Sequence, residues 1–479
     1  MTHRFPILEV ESFGPIARAE VELRPLTVLI GPNNSGKSYI GKLAYLFSIA
    51  TTDWGEPRST GQNPLLAQVL NWERSIPRKL TSELPNYQQE LYHRAIGIAV
   101  EQRKTWLRSA MSNHFGADLD QLVNRHQRGR RAHIGFRQET NYQGSLGISL
   151  VVQDHEYADV FVLPEIDDAI VPDLAAIFTS NQQVSDDELF QVGHWALGAT
   201  LRLSDLGEGG VFFLPGGRSG LLASAQLIGA AAISLVAQRA GLAPIELGVL
   251  AGVDGDFVRA QLQAIPVDTN LLEREGWTIE LEAALRLLEE LMEGLVLVVR
   301  SAIGRPTVIY RPKGLDLDLP MDRSSSMVSE LAAVALWVKA FLRRGDTLII
   351  DEPEAHLHPE NQRRIARVLV RLVNAGVRVI CTTHSSLILH QLSNCILAGQ
   401  LSAEDRRIDD LVDADTLDRT DLGVYVFQPT KKGTVVSPVE IDETYGIDEE
   451  EFVRVAQSIG QESYLLAVRA ERARALAHA

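Results

Sequence analysis

Cysteine is nearly missing from this sequence. The two present, Cys381 and Cys395, are too few for a disulfide framework or a zinc cluster, and they fit a reducing compartment. Long apolar runs are missing as well. The longest, GLLASAQLIGAAAISLVA from Gly220 to Ala237, is interrupted by Gln226 and dominated by small residues. It reads as a helix buried against a sheet, not as a membrane span. The opening MTHRFPILEVESFG carries no apolar leader, which points away from secretion and towards a soluble, cytoplasmic protein. Positive charge is in deficit: 46 Lys and Arg against 62 Asp and Glu leave a net charge of −16. Such a chain does not coat nucleic acid along its whole surface. One basic patch, NRHQRGRRAHIGFR from Asn124 to Arg137, keeps local nucleic-acid binding open beside two plainer readings, a solvated loop or an intramolecular acidic partner. No heptad pattern is sustained long enough for a coiled-coil arm.

What is present is an ordinary globular composition, 45% hydrophobic and 23% charged over 479 residues. That length suggests roughly two to three folding units. ILEV, the turn SFGPI and the alternating ARAEVEL read as strands. LTVLI, apolar throughout, suits a strand buried on both faces. Between 51 and 304 the signals mix. LLAQVLNWERSIPRKL and QQELYHRAIGIAVEQRKTWLRSAM read as amphipathic helices, and LEREGWTIELEAALRLLEELMEGLVLVVRSAI as one long helical segment. GSLGISLVVQ, YADVFVLPEI and GGVFFLPGG read as strands. From 305 onward PTVIYR and LDLDLP read as a strand pair, followed by a serine turn and a helix through Phe341. DTLIIDEPE is a buried strand, PENQRRIARVLVRLVNAG a helix stopped by Gly376, and VRVICTTHSS another buried strand. This alternation predicts an α/β fold with a mostly parallel sheet. Residues 401–479 read as an acidic stretch, a hairpin around YVFQPTKKGTVVSPVEI and a terminal helix.

Chemistry concentrates in two motifs. GPNNSGKS, Gly31 to Ser38, follows the apolar strand and opens a helix, where a phosphate-binding loop must lie. Gly31 and Gly36 let the backbone curl, with Pro32, Asn33, Asn34 and Ser35 between them, so that N–H groups face phosphate oxygens. The helix N-terminus favours the same negative charge. Lys37 reaches the β- and γ-phosphates of ATP, and the Ser38 hydroxyl ligates Mg²⁺. The complement is LIIDEPE: Asp351 ends a buried strand and is placed to hold Mg²⁺ through water, and Glu352 to polarise an attacking water. Adjacent acids at a strand end are costly to desolvate, which argues against a purely structural role. His384 ends the next strand in CTTHSS, either as a satisfied core histidine or as a contact to the γ-phosphate or the water. His356 and His358 lack a third ligand of suitable spacing for zinc. Asp413 and Asp415 read as a solvated acidic loop, not a nuclease metal pair.

In order, these motifs resemble the ABC-class ATPases of the overcoming-lysogenization-defect (OLD) and SMC-like groups. EPEAHLHP and THS look most like the OLD-type members, and FFLPGGRSGL resembles a strand-then-arginine segment of that group. The resemblance implies an ABC-type P-loop head, a mixed and mostly parallel sheet with an N-terminal antiparallel part and a large, mainly helical insertion. The head would comprise 1–50 and 305–400. The insertion would be 51–304, with 205–240 packing back on the head, and 401–479 would be a C-terminal tail. It also implies that Arg218 belongs to the nucleotide site, and that two heads sandwich ATP, a signature turn of each completing the other's site. SSSMVSE, with Ser325 and Ser326, occupies that slot but departs from LSGGQ, serines replacing glycines. A helix N-terminus with free hydroxyls can still bind a phosphate offered by a partner. The plainer alternative is a cap formed by Ser326 and Glu330. OLD-type nucleases carry a Toprim domain after the head; 401–479 is too short and too poor in the acidic pattern for one. The implied partners are therefore a second copy, in a dimer or higher oligomer, and a separate effector, a nuclease, acting against phage or other foreign DNA. An SMC- or RecF-like role in DNA repair or chromosome maintenance stays open, as does a nucleotide-dependent scaffold with little turnover.

Overall fold

Three short strands have no polar face to spare, and they organise the molecule. The structure, a computed structural model, describes residues 5–52, 78–80, 86–123, 132–139, 145–153, 156–162, 170–172, 209–221, 252–264, 277–300, 306–406, 411–448 and 461–470. Its principal strands in chain order are β1 (Ile7–Phe13), β2 (Ile16–Glu22), β3 (Leu26–Ile30), β4 (Ala132–Glu139), β5 (Ser145–Gln153), β6 (Glu156–Val162) and β7 (Val211–Leu214). They continue with β8 (Gly294–Arg300), β9 (Pro306–Pro312), β10 (Thr347–Asp351), β11 (Arg378–Thr383), β12 (Leu422–Thr430) and β13 (Gly433–Pro438). The helices used below are α1 (Lys37–Thr52), α2 (Asn86–Phe115), α3 (Gly252–Ala264), α4 (Ile279–Met292), α5 (Ser326–Ala340), α6 (Pro359–Asn374) and α7 (Ser386–Gly399).

Eleven strands form one sheet in the order β6-β5-β4-β1-β2-β13-β12-β3-β11-β10-β7. From β12 to β7 every pairing is parallel, and β1, β2, β4, β5 and β6 pair antiparallel. This is the expected α/β class, a parallel core with an N-terminal antiparallel part. β3 and β10 are buried at every position. Leu26, Val28, Leu348 and Ile350 face one core, with α4, α5 and α6, while Leu29 and Ile349 face the other, with α1. Burial on both faces is what parallel strands require. α5 is buried from Val328 through Val338, so it is a core helix with no amphipathic face to speak of. Trp337 stacks on Phe257 of α3 with ring centroids 4.8 Å apart, an aromatic pair worth about 1 kcal/mol beyond its buried area.

Several expectations change. The long helical segment after residue 272 is two elements. α4 is capped by Thr278 and ends at Glu293, which takes the left-handed conformation at φ 52°; β8 follows. The β-branched GLVLVVR favours a strand, and a Cβ at Gly294 would lie 2.4 Å from the Arg311 carbonyl oxygen, so only glycine lets β9 come so close. β9 therefore pairs along its length with β8, and LDLDLP contributes only Leu319–Pro320. β4 to β6, expected to belong to an insertion, extend the same sheet beyond β1. The hairpin of β12 and β13 is no tail: it lies between β3 and β2, inside the sheet. Asp415 is fully buried and forked on Arg371 at 2.7 and 3.3 Å, while Asp413 stays exposed and pairs with Arg406. LLAQVLNWERSIPRKL lies outside the described residues except Arg78–Leu80, which is a strand. The apolar run from Leu222 and the arginines of the patch before Ala132 also lie outside them. Among the described residues no helix is long and apolar enough to cross a membrane.

Candidate functional site

The ends of β3, β10 and β11 lie side by side, and each delivers one chemical group. Gly31, at φ 141°, leaves β3 where a Cβ would meet the Phe427 carbonyl oxygen at 2.7 Å. Gly36, at φ 101°, turns into α1 where a Cβ would meet Pro15 at 2.9 Å. Both positions combine a left-handed backbone, which the turn itself demands, with a close neighbour from another strand or turn, so glycine is required there on two counts. Asn34 is also left-handed, and the Ser35 hydroxyl donates to the Pro32 carbonyl at 2.8 Å. Lys37 is buried, its ammonium donating to the carbonyls of Gly31 and Pro32 at 2.9 and 2.8 Å. Pro32, Asn33, Asn34 and Ser38 are exposed around it. The loop thus has the curl and the helix N-terminus that suit phosphate.

Asp351 is buried at the end of β10, and burial pushes its carboxyl up, opposed by hydrogen bonds from Thr382 and Ser38. The Thr382 hydroxyl donates to its Oδ1 at 3.0 Å. A carboxylate sharing a hydroxyl at the mouth of the phosphate loop is an all-oxygen donor set that fits Mg²⁺. Glu352 is a non-glycine residue at φ 47°, a conformation that costs about 1–3 kcal/mol and persists only where surroundings over-determine it. Its N–H is held by the Thr382 carbonyl and hydroxyl, each at 3.1 Å. The twist turns its side chain out of the core, where it is 48% exposed with Oε1 3.6 Å from His384 Nε2. Burial lowers the His384 imidazole below the usual histidine range, Lys37 adds to this, and Glu352 opposes it. An imidazole that disfavours its proton thus lies beside an exposed carboxylate, with the buried Lys37 charge near enough to act on it.

Two participants escaped the sequence reading. Glu354, buried with its carboxyl pushed up by desolvation, accepts from the Thr383 hydroxyl at 2.6 Å and from the His384 N–H at 2.8 Å. It fixes the backbone that carries His384. Thr382 holds both Asp351 and the Glu352 N–H. The second acid of DEPE was a signal for Glu354; nothing local marked Thr382.

The serine turn changes in detail. Ser325, not Ser326, is the N-cap of α5, accepting from the Val328 N–H at 3.3 Å, and both serines are exposed. Glu330 takes no part in the cap. It is buried and pairs with Arg218, Nε to Oε2 at 3.1 Å. Arg218 itself is fully buried and donates to the Asp351 carbonyl at 2.9 Å and the Glu352 carbonyl at 3.3 Å. With its guanidinium committed behind β10, Arg218 cannot be the nucleotide contact expected of it. Burial lowers its affinity for its proton, and Glu330 is the first of the nearby charges that oppose this. His356 and His358 are exposed, and among the described residues no group of three His, Cys, Asp or Glu side chains could hold a metal.

Residues 250–390 match a family model described as "AAA domain, putative AbiEii toxin, Type IV TA system". That span carries Ser325, Ser326, Asp351, Glu352 and His384 but not the phosphate loop. Among solved structures the chain is similar to the SMC head bound to the C-winged helix domain of ScpA, at 11% identity and a TM-score of 0.42, covering 92% of this chain and 99% of that one. It is also similar to the SMC head domain from Thermotoga maritima, at 11% identity and 0.36, covering 91% and 100%. A third is the SMC head domain with an extended coiled coil, bound to the C-terminal domain of ScpA, from Pyrococcus furiosus, at 13% and 0.39, covering 95% and 100%. TM-scores this low do not decide a fold; strand order and the placement of the loop do. No curated protein matches the chain.

Proposed function

We propose that the chain is an ATPase that closes as a pair of heads around ATP and Mg²⁺. The observation that carries this reading is the meeting of Lys37, Asp351, Glu352 and His384 at the ends of three adjacent parallel strands. The loop from Gly31 to Ser38 takes the phosphates, and Ser38 with Asp351 holds the metal, which neutralises charge on the phosphates when bound. Glu352, turned outward and solvated, orients and deprotonates the water, and the neutral His384 imidazole hydrogen-bonds the γ-phosphate or that water. Ser325 and Ser326, exposed at the N-terminus of a buried helix, offer N–H groups and hydroxyls to a phosphate bound by a second copy.

What the closed pair controls is a separate effector, in our reading a nuclease acting against phage or foreign DNA. The description of the matched family as a type IV toxin–antitoxin system is in keeping with such pairing. Glu352→Gln keeps the shape of the site and removes the base. With ATP and Mg²⁺ it is expected to accumulate as a dimer or larger species in light scattering, with hydrolysis reduced by about 10²-fold or more. A variant that stays monomeric at saturating ATP sinks the paired-head reading.

A further inference from the structure

A fully buried arginine that touches no substrate raises the question of what it holds. Arg218 opens the helical residues that follow β7 and its Gly216–Gly217 turn, its Nε against Glu330 of α5 and its two terminal nitrogens on the carbonyls of Pro215, Asp351 and Glu352. The second Glu330 oxygen accepts from the Ser219 hydroxyl at 2.7 Å and from the Ser219 N–H at 3.3 Å. Stability alone is a weak reason to keep such a pair, because well-packed apolar side chains of similar volume often replace buried ion pairs without loss. Its placement supplies a better one. Glu352 is held in a left-handed conformation, with its N–H clamped from one side by Thr382. The Asp351 carbonyl and Glu352's own carbonyl, on the two peptide units that flank the twisted Cα, both accept from Arg218. Arg218 is thus half of what over-determines the backbone that turns Glu352 outward.

The other end of the connection is the serine turn. Glu330 follows Ser325 by five residues on a helix buried from Val328 onward, so the cap and the carboxylate move as one body. We infer that Arg218 and Glu330 are positioning residues that couple the serine turn to Glu352, so that a phosphate seated at Ser325 and Ser326 sets the geometry of hydrolysis without altering nucleotide affinity. This inference rests on the paired-head reading. A shift of α5 carries Glu330, Glu330 carries the guanidinium, and the guanidinium carries the Asp351 and Glu352 carbonyls. The loop that takes the nucleotide follows β3, and Lys37 opens α1 with its ammonium on the Gly31 and Pro32 carbonyls, so the phosphate cradle is built on other elements than those the pair joins.

The test uses the full chain with three variants: Glu330→Gln, the double replacement Arg218→Met with Glu330→Leu, and Ser325→Ala with Ser326→Ala. Steady-state hydrolysis, affinity for a fluorescent ATP analogue and the unfolding midpoint are measured for each. Coupling requires kcat to fall by about tenfold or more in the apolar pair, with analogue affinity within about twofold of wild type and the midpoint near that of wild type. It requires the same fall in Glu330→Gln, which leaves the Arg218 charge unmatched and is therefore assayed well below its own lowered midpoint. Adding Glu330→Gln to the serine variant should then cost little further kcat, because both act through one route. Wild-type kcat in the folded apolar pair overturns the inference, as do strictly additive losses. Loss of kcat that appears only together with a lowered midpoint and weakened analogue binding also overturns it, leaving a structural pair. The paired-head reading fails separately, when the wild type does not hydrolyse ATP or Glu352→Gln does not assemble. The coupling alone fails when both of those succeed and Glu330→Gln keeps its rate.

Discussion

His384 sits between a lysine that repels its proton and a glutamate that attracts it, in a half-buried position that disfavours charge. The net result is a lowered affinity for the proton, with burial the largest cause. Protonation would draw the imidazolium onto Glu352, 3.6 Å away, and take the base from the water. The rate constant for hydrolysis is therefore expected to stay level as pH falls to 6.5, the ordinary histidine value, and to decline only below it. In His384→Asn the rate should be lower throughout and that decline absent. A decline centred above pH 6.5 would count against a neutral His384. The same shift has a consequence for stability: the unfolded chain takes the proton first, so this group lowers stability as pH falls through 6.5. At this scale the motif residues were readable in sequence because their demands are local. Gly31 and Gly36 need their φ angles whatever surrounds them. Thr382 was not readable, because its task exists only where β11 lies beside β10.

At the scale of elements, the break between α4 and β8 is the clearest departure from periodicity. Leu281, Leu285 and Leu288 sit at helical spacing and are buried, and the apolar sequence continues past Met292 without a pause. Glu293 makes the break in the conformation usually reserved for glycine, its N–H bonded to the Glu289 and Glu290 carbonyls. A non-glycine residue there costs about 1–2 kcal/mol. Glu293→Gly should therefore stabilise the protein by about 1 kcal/mol, read as a higher unfolding midpoint in scanning calorimetry. A lower midpoint would show that the glutamate side chain contributes more than its backbone costs. Periodicity failed here because a helix and a buried strand look alike when both are apolar; the β-branched residues from Val296 to Val299 were the overlooked signal.

For the whole molecule, the hairpin of β12 and β13 decides how the large sheet is built. β12 pairs parallel with β3 in register from Leu422 on Leu26 to Val426 on Ile30, and β13 pairs with β2. Phe427 also walls the phosphate loop, its carbonyl oxygen and Cβ lying where a side chain on Gly31 would go. Ending the chain at residue 400 would strip β3 of one neighbour and divide the sheet between its parallel core and its antiparallel part. Such a protein is expected to lose cooperative unfolding and ATP binding together, with rapid amide exchange in β3. Retained ATP affinity and protected β3 amides would show that the core stands without the hairpin.

What the sequence determined by itself is whatever depends on neighbours in the chain: the loop from Gly31 to Ser38, the doubly buried strands on which Asp351 and His384 end, and the capped turn at Ser325. These follow from backbone geometry and from runs of apolar residues, and both can be read over a few positions. The tertiary structure alone decided the destination of Arg218 and Glu330, the insertion of the 422–438 hairpin into the sheet, and the fate of Asp415. Each of these turns on a buried charge or an unpaired strand edge finding its complement more than forty residues away. Burial makes such a group costly unless it is matched, and nothing in the flanking sequence names the match.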